Sequence, residues 1–173
     1  MQIVEFIDQF KAVYSCHVQR VFKLSRTVAN RRLAVIAKTK EIKRSRDHFT
    51  MNCLYFTEKP TRHKLLVAEF YTRLLSNGGQ IREFKTEYSF GGLRADAFAI
   101  YQMNRLAYYF FLEIQISNAP LDFAKYDHLY QSGYPWPTFP RIIVVSDREF
   151  KNDSPLRFIR IDTEFREFGK IFR

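Results

Sequence analysis

Two acidic side chains stand alone in apolar sequence, and their spacing could hold a divalent cation. The stretch RLAYYFFLEIQIS is apolar on both faces of a predicted strand except at Glu113 and Gln115, which alternate onto one side. The preceding predicted strand, LRADAFAIYQ, carries a single acid, Asp96. A buried carboxylate is costly unless it is paired or bound to a metal. Two such acids on adjacent strands can chelate Mg²⁺, which activates water or stabilises phosphate charge.

Two side chains from predicted helices could complete this site. Glu69, on the helix before the strands, is either a third metal ligand or a surface residue of that helix. Lys125, on the helix after the strands, lies close to His128 at helical spacing. Because Gln115 is neither a strong base nor a cation, catalysis at Asp96 and Glu113 depends on Lys125 reaching in from its helix. The metal candidates are therefore Asp96, Glu113 and Glu69.

The basic segment SRTVANRRLAVIAKTK is a second candidate for a functional site. In a helix-turn-helix, the second helix of the pair enters the major groove and shows polar residues on one face and core residues on the other. Arginine and asparagine side chains near its start can make paired hydrogen bonds to guanine or adenine. The candidates for base contact are Arg26, Thr27, Asn30 and Arg31.

The charge of the chain is concentrated around that segment. The net charge is +10, and residues 17–46 hold ten Lys or Arg and one acid, Glu41. Such a field attracts polyanions, and the expected partner is double-stranded DNA, with RNA not excluded. Phosphate contacts, which position a protein without reading sequence, are expected from five basic residues. These are Arg20, Lys23, Lys43, Arg44 and Arg46.

The first third of the chain predicts three helices and a two-stranded wing. Up to about Lys40, apolar residues recur at helical spacing, with breaks near Tyr14–Ser15 and Leu24–Ser25. The Ser25 side chain is expected to accept hydrogen bonds from the free backbone N–H groups at the start of the third helix. The runs EIKRSR and NCLYFT, joined by DHFTM, are typical of a hairpin. This order is the winged-helix plan.

The remainder predicts a helix, three strands, a helix and a strand, with a short last strand. The helices are expected near Arg62–Ser76 and Leu121–Gln131. The strands are expected near Ile81–Ser89, Arg94–Gln102, Leu106–Ser117, Arg141–Ser146 and Phe158–Ile161. The fold class is therefore α+β, with a winged helix-turn-helix at residues 1–60 and a mixed-sheet domain at residues 61–173.

The composition excludes several classes of protein. With 46% hydrophobic and 17% aromatic residues in a chain of 173, a disordered protein is excluded. No apolar run approaches the length of a membrane span, and the start MQIVEFIDQF carries acids where a signal peptide is positive. We therefore expect a cytoplasmic protein that does not bind a membrane. Cys16 and Cys53 have neither zinc spacing nor a disulfide pattern.

The order of these motifs resembles the core of the PD-(D/E)XK nuclease superfamily between about Arg62 and Ser146. The motif residues are Arg94-Ala95-Asp96 on one strand and Glu113-Ile114-Gln115 on the next. The resemblance implies that Asp96 and Glu113 hold Mg²⁺ or Mn²⁺ and that position 115 assists the attacking water. The chain departs from the pattern at Ala95, where proline is expected, and at Gln115, where lysine is expected. Some superfamily members also have glutamine at that last position.

Nearly the whole chain is similar to the replication-relaxation family of plasmids, phages and integrative elements. The resemblance rests on the N-R-R-L at Asn30–Leu33, the basic wing with C-L-Y-F-T, the helix from His63, R-A-D-A, F-L-E-I-Q, and Lys125 and Tyr126 with a later Tyr130. It implies a winged helix coupled to a nuclease-like domain that acts on the DNA of a mobile element.

Three functions remain open from the sequence. The first is a DNA-binding protein of replication, transfer or transcription control, whose nuclease-like domain serves assembly, with a homodimer left open. The second is a metal-dependent endonuclease or nicking enzyme that uses Asp96, Glu113 and Glu69. The third is an adaptor whose basic face binds an acidic protein.

Overall fold

Helices and strands contribute about equally to the chain, and they are divided between two compact units. The computed structural model describes residues 1–39, 41–47, 50, 52–118 and 120–173. Residues 1–77 form the N-terminal unit and residues 78–173 form the C-terminal unit. The expected α+β class with a mixed sheet is confirmed.

The described residues of the N-terminal unit form four helices and a small antiparallel sheet. In chain order they are α1 (Ile3–Phe10), β1 (Ala12–Tyr14), α2 (Ser15–Phe22), α3 (Arg26–Ala37), β2 (Lys43–Arg46), β3 (Cys53–Phe56) and α4 (Arg62–Ser76). The sheet order is β1-β3-β2, with β3 antiparallel to both neighbours. The turn predicted between the wing strands includes residues 48, 49 and 51, which lie outside the described residues.

Apolar residues at helical spacing build the core of this unit. Helix α1 buries Ile3, Phe6, Ile7 and Phe10 on one face. The rings of Phe6 and Phe10 contact Tyr71 of α4, with centroids 6.0 and 5.0 Å away. Helix α4 therefore belongs to the core of the N-terminal unit, although the sequence analysis placed it in the second domain.

A mixed five-stranded sheet forms the C-terminal unit. Its strands are β4 (Gln80–Phe90), β5 (Leu93–Met103), β6 (Leu106–Ile114), β7 (Arg141–Val145) and β8 (Phe158–Ile161), and they lie side by side in that order. Strands β4, β5 and β6 are antiparallel, whereas β7 and β8 run parallel to β6. Helix α5 (Ala124–Ser132) lies between β6 and β7 in the chain, and a 3₁₀ helix (Phe168–Phe172) follows β8.

Each face of this sheet is covered by a different element. On one face, Phe98, Phe111 and Ile142 pack with Tyr126 and Leu129 of α5. On the other, the ring of Phe172 contacts Tyr101, Tyr108 and Phe110 at centroid distances of 5.3 to 5.9 Å. Because both faces are covered, the middle strands read as nearly continuous apolar sequence.

The unit begins at a close backbone approach that requires glycine. A side chain on Gly79 would come within 2.5 Å of the Gln102 carbonyl oxygen and the Tyr101 ring. The Gly79 amide instead donates to the Tyr101 hydroxyl at 2.7 Å. Gly78, at a φ of +84°, follows the end of α4 in a conformation that glycine adopts without strain.

The predicted elements are present, with shifted ends and two additions. The strand predicted to Ser117 ends at Ile114, and the helix predicted from Leu121 begins at Ala124. Strand β1 and the 3₁₀ helix were not predicted, because three and five residues are too few for a periodic pattern. No helix in the described part of the chain is long and apolar enough to cross a membrane.

Candidate nucleic-acid interface and carboxylate site

Helix α3 presents all three of its arginines to solvent, two of which, Arg26 and Arg31, are base-contact candidates. The Ser25 hydroxyl accepts a hydrogen bond from the Val28 amide at 3.4 Å and so caps the first turn, as the sequence predicts. Ala29 and Leu33 are fully buried and hold the helix against the unit. On the other side Arg26, Thr27 and Arg31 are exposed. Their side chains can therefore reach a ligand without rearrangement of the core.

Asn30 differs from its neighbours on this face. It is half-buried, and its Oδ1 atom is buried without a hydrogen-bond partner among the described residues. The expectation that Arg26, Asn30 and Arg31 are all exposed therefore holds for the two arginines and only in part for Asn30. An unmet amide acceptor costs free energy unless a ligand or water supplies a donor.

The strand β2 is a basic edge. Its sequence, Lys43-Arg44-Ser45-Arg46, is exposed at every position. The buried side chain of Ile42, immediately before it, anchors the strand to the core. The Arg44 guanidinium donates to the Cys53 sulfur at 3.5 Å and lies 6.0 Å from the centre of the Tyr55 ring, which limits its motion.

A hydrogen bond fixes the far end of the same hairpin. The Tyr14 hydroxyl donates to Asp47 Oδ2 at 2.5 Å, and burial together with this acceptor raises the pKa of Tyr14 to about 12. The Asp47 amide donates to the Asn52 carbonyl at 3.0 Å. Strand β1 thereby fixes the position of the hairpin, and with it the position of the basic strand β2.

The two other phosphate-contact candidates, at the end of α2, have different surroundings. Lys23 is exposed and ends α2 in a left-handed conformation, with a φ of +50°. The Arg20 guanidinium lies 2.6 Å from Glu69 Oε2 and 2.7 Å from Glu69 Oε1. Arg20 therefore has an internal counter-ion, and its charge is less available to a phosphate than that of Lys23.

Glu69 is the centre of a polar network inside the N-terminal unit. Its carboxylate lies 2.6 Å from Arg73 Nε and 2.9 Å from Nε2 of His17, a histidine that is 1% exposed. His17 Nδ1 accepts from the Tyr14 amide at 3.3 Å, so Nε2 carries the proton that is donated to Glu69. Burial lowers the pKa of His17. The ring is therefore neutral at neutral pH.

Opposing effects act on the Glu69 carboxyl. Burial alone would raise its pKa, but the hydrogen bonds from His17 and Arg73 and the charge of Arg20 lower it to about 2. The carboxylate thus ties α4 to α2. Glu69 is a structural anion held by residues of the N-terminal unit, whereas Asp96 and Glu113 belong to the C-terminal unit.

Asp96 and Glu113 lie on neighbouring strands, as expected. Ala97 pairs with Leu112 across β5 and β6, so the two acids are the next residues along this register. Each is two positions from a phenylalanine that packs with α5, so period-two geometry puts both acids on the α5 face. Asp96 Oδ2 accepts from the Ile114 amide at 2.6 Å.

Two side chains of helix α5, the ammonium of Lys125 and the hydroxyl of Tyr126, contact Glu113. The Lys125 ammonium lies 2.6 Å from Glu113 Oε1 and also donates to the Arg94 carbonyl at 2.6 Å. The Tyr126 hydroxyl donates to the same Glu113 oxygen. Lys125 therefore does reach in from its helix to the acids.

Burial dominates the electrostatics of this pair. Glu113 is 8% exposed, and burial raises its pKa despite the hydrogen bonds from Lys125 and Tyr126. Burial and the charge of Glu113 raise the pKa of Tyr126 well above its ordinary value. Tyr126 thus remains a hydrogen-bond donor at neutral pH.

The residues fit a charge-balanced pair better than a three-ligand metal centre. Among the described residues, no three His, Cys, Asp or Glu side chains come together in a group that could hold a metal ion. Gln115 follows β6, and its side-chain amide donates to the Ser117 carbonyl and hydroxyl at 3.3 and 3.4 Å. Asp96 and Glu113 are the two acids left for a cation, with Lys125 already beside one of them.

Two residues of these networks have partners that were not predicted from the sequence. His17 gave no distinct signal in the sequence, because the polar residues Ser15 and Gln19 stand on the same turns of α2. Tyr126 was paired in the sequence analysis with the later Tyr130, whereas its hydroxyl is bonded to Glu113. A buried tyrosine hydroxyl needs a partner, and the lone acid of the neighbouring strand was available.

Comparison with known proteins does not assign this chain to a family. The chain matches no protein-family model, and neither a curated protein nor a solved structure is significantly similar to it.

Proposed function

We propose that the N-terminal unit is a winged helix-turn-helix module that binds double-stranded DNA. The order helix, strand, helix, helix, strand, strand over α1 to β3 is that of a winged helix, with α2 and α3 as the helix-turn-helix pair. In this arrangement α3 enters the major groove, and the β2–β3 hairpin is the wing.

The observation that carries the proposal is the exposed basic surface of α3 and β2. Arg26 and Arg31 on the helix are exposed, as are Lys43, Arg44 and Arg46 on the strand. Residues 1–77 contain 15 Lys or Arg against 6 Asp or Glu, a net +9, whereas residues 78–173 contain 13 against 12, a net +1. Charge of one sign gathered on one small unit favours a polyanion partner.

Within this module the two basic elements have different tasks. The guanidinium groups of Arg26 and Arg31 are suited to paired hydrogen bonds with guanine. Thr27 and Asn30 lie between them, and because Asn30 Oδ1 is buried, Asn30 contacts an adenine only when its side chain turns outward. Residues of β2 hold the backbone of the duplex and set the register.

Salt dependence tests the proposal directly. A protein that neutralises several phosphates loses affinity steeply as salt rises, so binding to a duplex should weaken at least about tenfold between about 50 and 200 mM salt. Fluorescence anisotropy with a labelled duplex measures this. The variant Arg26→Ala, Arg31→Ala should lose affinity, whereas the exposed control Arg148→Ala of the C-terminal unit should not. Salt-insensitive binding, or equal losses in the variant and the control, would contradict the proposal.

For the whole chain we propose a role in replication, transfer or transcription control of a mobile genetic element. The C-terminal unit would be a nuclease-like domain used for assembly. The order of β4, β5, β6, α5 and β7 within this unit supports the assignment, as does the position of Asp96 and Glu113 on the neighbouring inner strands β5 and β6. The pairing of Glu113 with Lys125 and Tyr126 supports a structural task for these acids.

A metal-dependent DNA endonuclease is the second candidate. The specific observation in its favour is Lys125, whose ammonium reaches Glu113 and supplies the cation that Gln115 does not. Asp96 and Glu113 would hold Mg²⁺ or Mn²⁺, which supplies water activation and phosphate charge stabilisation when bound. Lys125 would then hold its proton beside the scissile phosphate and stabilise developing negative charge.

Nicking of supercoiled DNA separates the two candidates. If the site is catalytic, Asp96→Ala and Glu113→Ala should each abolish nicking in Mn²⁺ and leave duplex binding unchanged. If it is structural, wild-type protein should bind supercoiled DNA in Mn²⁺ and leave it intact.

A further inference from the structure

An apolar groove between α1 and α3 has no role in the function proposed above. Its volume is about 650 Å³. Its apolar lining is formed by Met1, Ile3, Val4, Phe22, Val35 and Ile36. Met1, Val4 and Val35 are 56, 38 and 61% exposed, which makes them half of the strongly exposed large apolar side chains in the described part of the chain. Apolar residues gathered in one exposed patch are typical of an interaction site.

The groove lies on a different side of α3 from the base-contact candidates. At about 100° per residue, Arg26, Thr27, Asn30 and Arg31 cover an arc of about 140°, and the groove residues cover the next arc of about 100°. Arg32, Val35 and Ile36 form that second stripe, and Arg31 lies at the border. A partner in the groove therefore leaves most of the base-contact face accessible.

The two helices that border the groove carry opposite exposed charges, the arginines of α3 in the groove lining and the acids of α1 beside it. The solvent side of α1 shows Glu5 and Asp8 next to Val4, and all three are exposed. Asp8 Oδ1 also lies 2.9 Å from the Lys11 ammonium, in an exposed pair that a stronger partner can displace. The solvent side of α3 shows Arg31 and Arg32 next to Val35, and these too are exposed. Each wall thus combines exposed apolar residues with charges that the other wall complements.

We propose that the occupant of this groove is a second copy of the chain. In a two-fold dimer the same patch is used by both copies, so that a residue of one wall meets the other wall of the partner twice. The acidic wall at α1 of one copy then contacts the basic wall at α3 of the other. The exposed apolar residues of both copies are buried in the middle, where charged residues are disfavoured.

The test measures the oligomeric state without DNA, so that it does not depend on the proposed function. Sedimentation velocity on the full chain between about 1 and 100 µM should show a dimer that dissociates on dilution. Val35→Asp should shift the dissociation constant at least about tenfold upward, because it buries an unpaired charge. The matched control is Leu106→Asp in the C-terminal unit, whose side chain is 58% exposed, and it should leave the dimer unchanged.

A charge reversal supplies the second measurement. Arg32→Glu should weaken the dimer, and combining it with Asp8→Arg should restore part of the loss, because opposite walls meet across the two-fold axis. Circular dichroism on each variant checks that α1 and α3 remain folded. A monomeric wild-type chain at 100 µM, or a dimer that Leu106→Asp breaks and Val35→Asp does not, would overturn the proposal.

Discussion

At the scale of single residues, Glu69 and Glu113 are both largely buried carboxylates, and their partners decide what the burial costs. Glu69 accepts hydrogen bonds from His17, Arg20 and Arg73, and its pKa falls to about 2. Glu113 has one cation and one hydroxyl, and its pKa is raised because burial outweighs them. The ionised form of the same residue type is therefore favoured in one unit and disfavoured in the other.

Glu69→Gln should destabilise the N-terminal unit by about 2–3 kcal/mol at neutral pH. The folded pKa of about 2 lies below the ordinary 4.5, so the contribution is complete above pH 4.5 and is lost as the pH falls toward 2. Hydrogen exchange of the α2 and α4 amides measures it. The wild-type amides should lose protection over that pH window. In Glu69→Gln the protection should be low from the start and should not change with pH. Glu41→Gln, at an exposed acid of the same unit, is the control.

The Lys125–Glu113 pair predicts a non-additive response. Lys125→Met should cost about 3 kcal/mol, because it leaves a buried carboxylate without its cation, and Lys125→Met with Glu113→Gln should cost less than the single change. Trp136 is the only tryptophan of the chain and its ring lies 5.4 Å from Phe111, so its fluorescence in urea reports this unit. Additive costs would show that the pair does not interact.

At the scale of elements, the periodic segments were predictable and the short ones were not. Helices α1, α3 and α4 were visible because their buried positions recur every three or four residues, and β5 and β6 were visible as apolar runs with one acid each. The juxtaposition of Asp96 with Glu113 followed from strand adjacency. The capture of Glu69 by His17 and Arg20 was not predictable, because it depends on how α2 packs on α4.

Strand β2 should control affinity without controlling sequence preference. Replacing Lys43 and Arg46 with Ala removes two exposed charges, and the slope of log affinity against log salt should decrease by about 1–2, equally for all duplex sequences. Arg31→Ala on α3 should instead reduce the difference between a preferred and a scrambled site. Anisotropy titrations with both duplexes at several salt concentrations measure the two effects. The assignment fails if the strand variant alters preference and the helix variant does not.

At the scale of the whole molecule, charge and chemistry are segregated. The N-terminal unit holds nine of the ten excess positive charges, and the C-terminal unit holds the Asp96–Glu113–Lys125 cluster in a nearly neutral frame. The sequence predicted this division from the charge count, but it placed the boundary near residue 60, whereas the compact units divide after Asn77. Helix α4 caused the difference. The apolar residues of α4 form a broad stripe along the helix, and this pattern does not predict which unit the helix packs against.

This segregation predicts that affinity for DNA arises almost entirely from one unit. Arg148→Gln with Arg157→Gln removes two exposed charges from the C-terminal unit, and Arg31→Gln with Arg44→Gln removes two from the N-terminal unit, so the net charge of the chain falls by the same amount. If long-range attraction by the total charge governed binding, the two variants would weaken equally. Because phosphate contacts act locally and salt screens charges beyond about 10 Å, the second pair should cost at least tenfold and the first less than twofold near 0.1 M salt. Parallel anisotropy titrations of the two variants on one duplex decide between these outcomes.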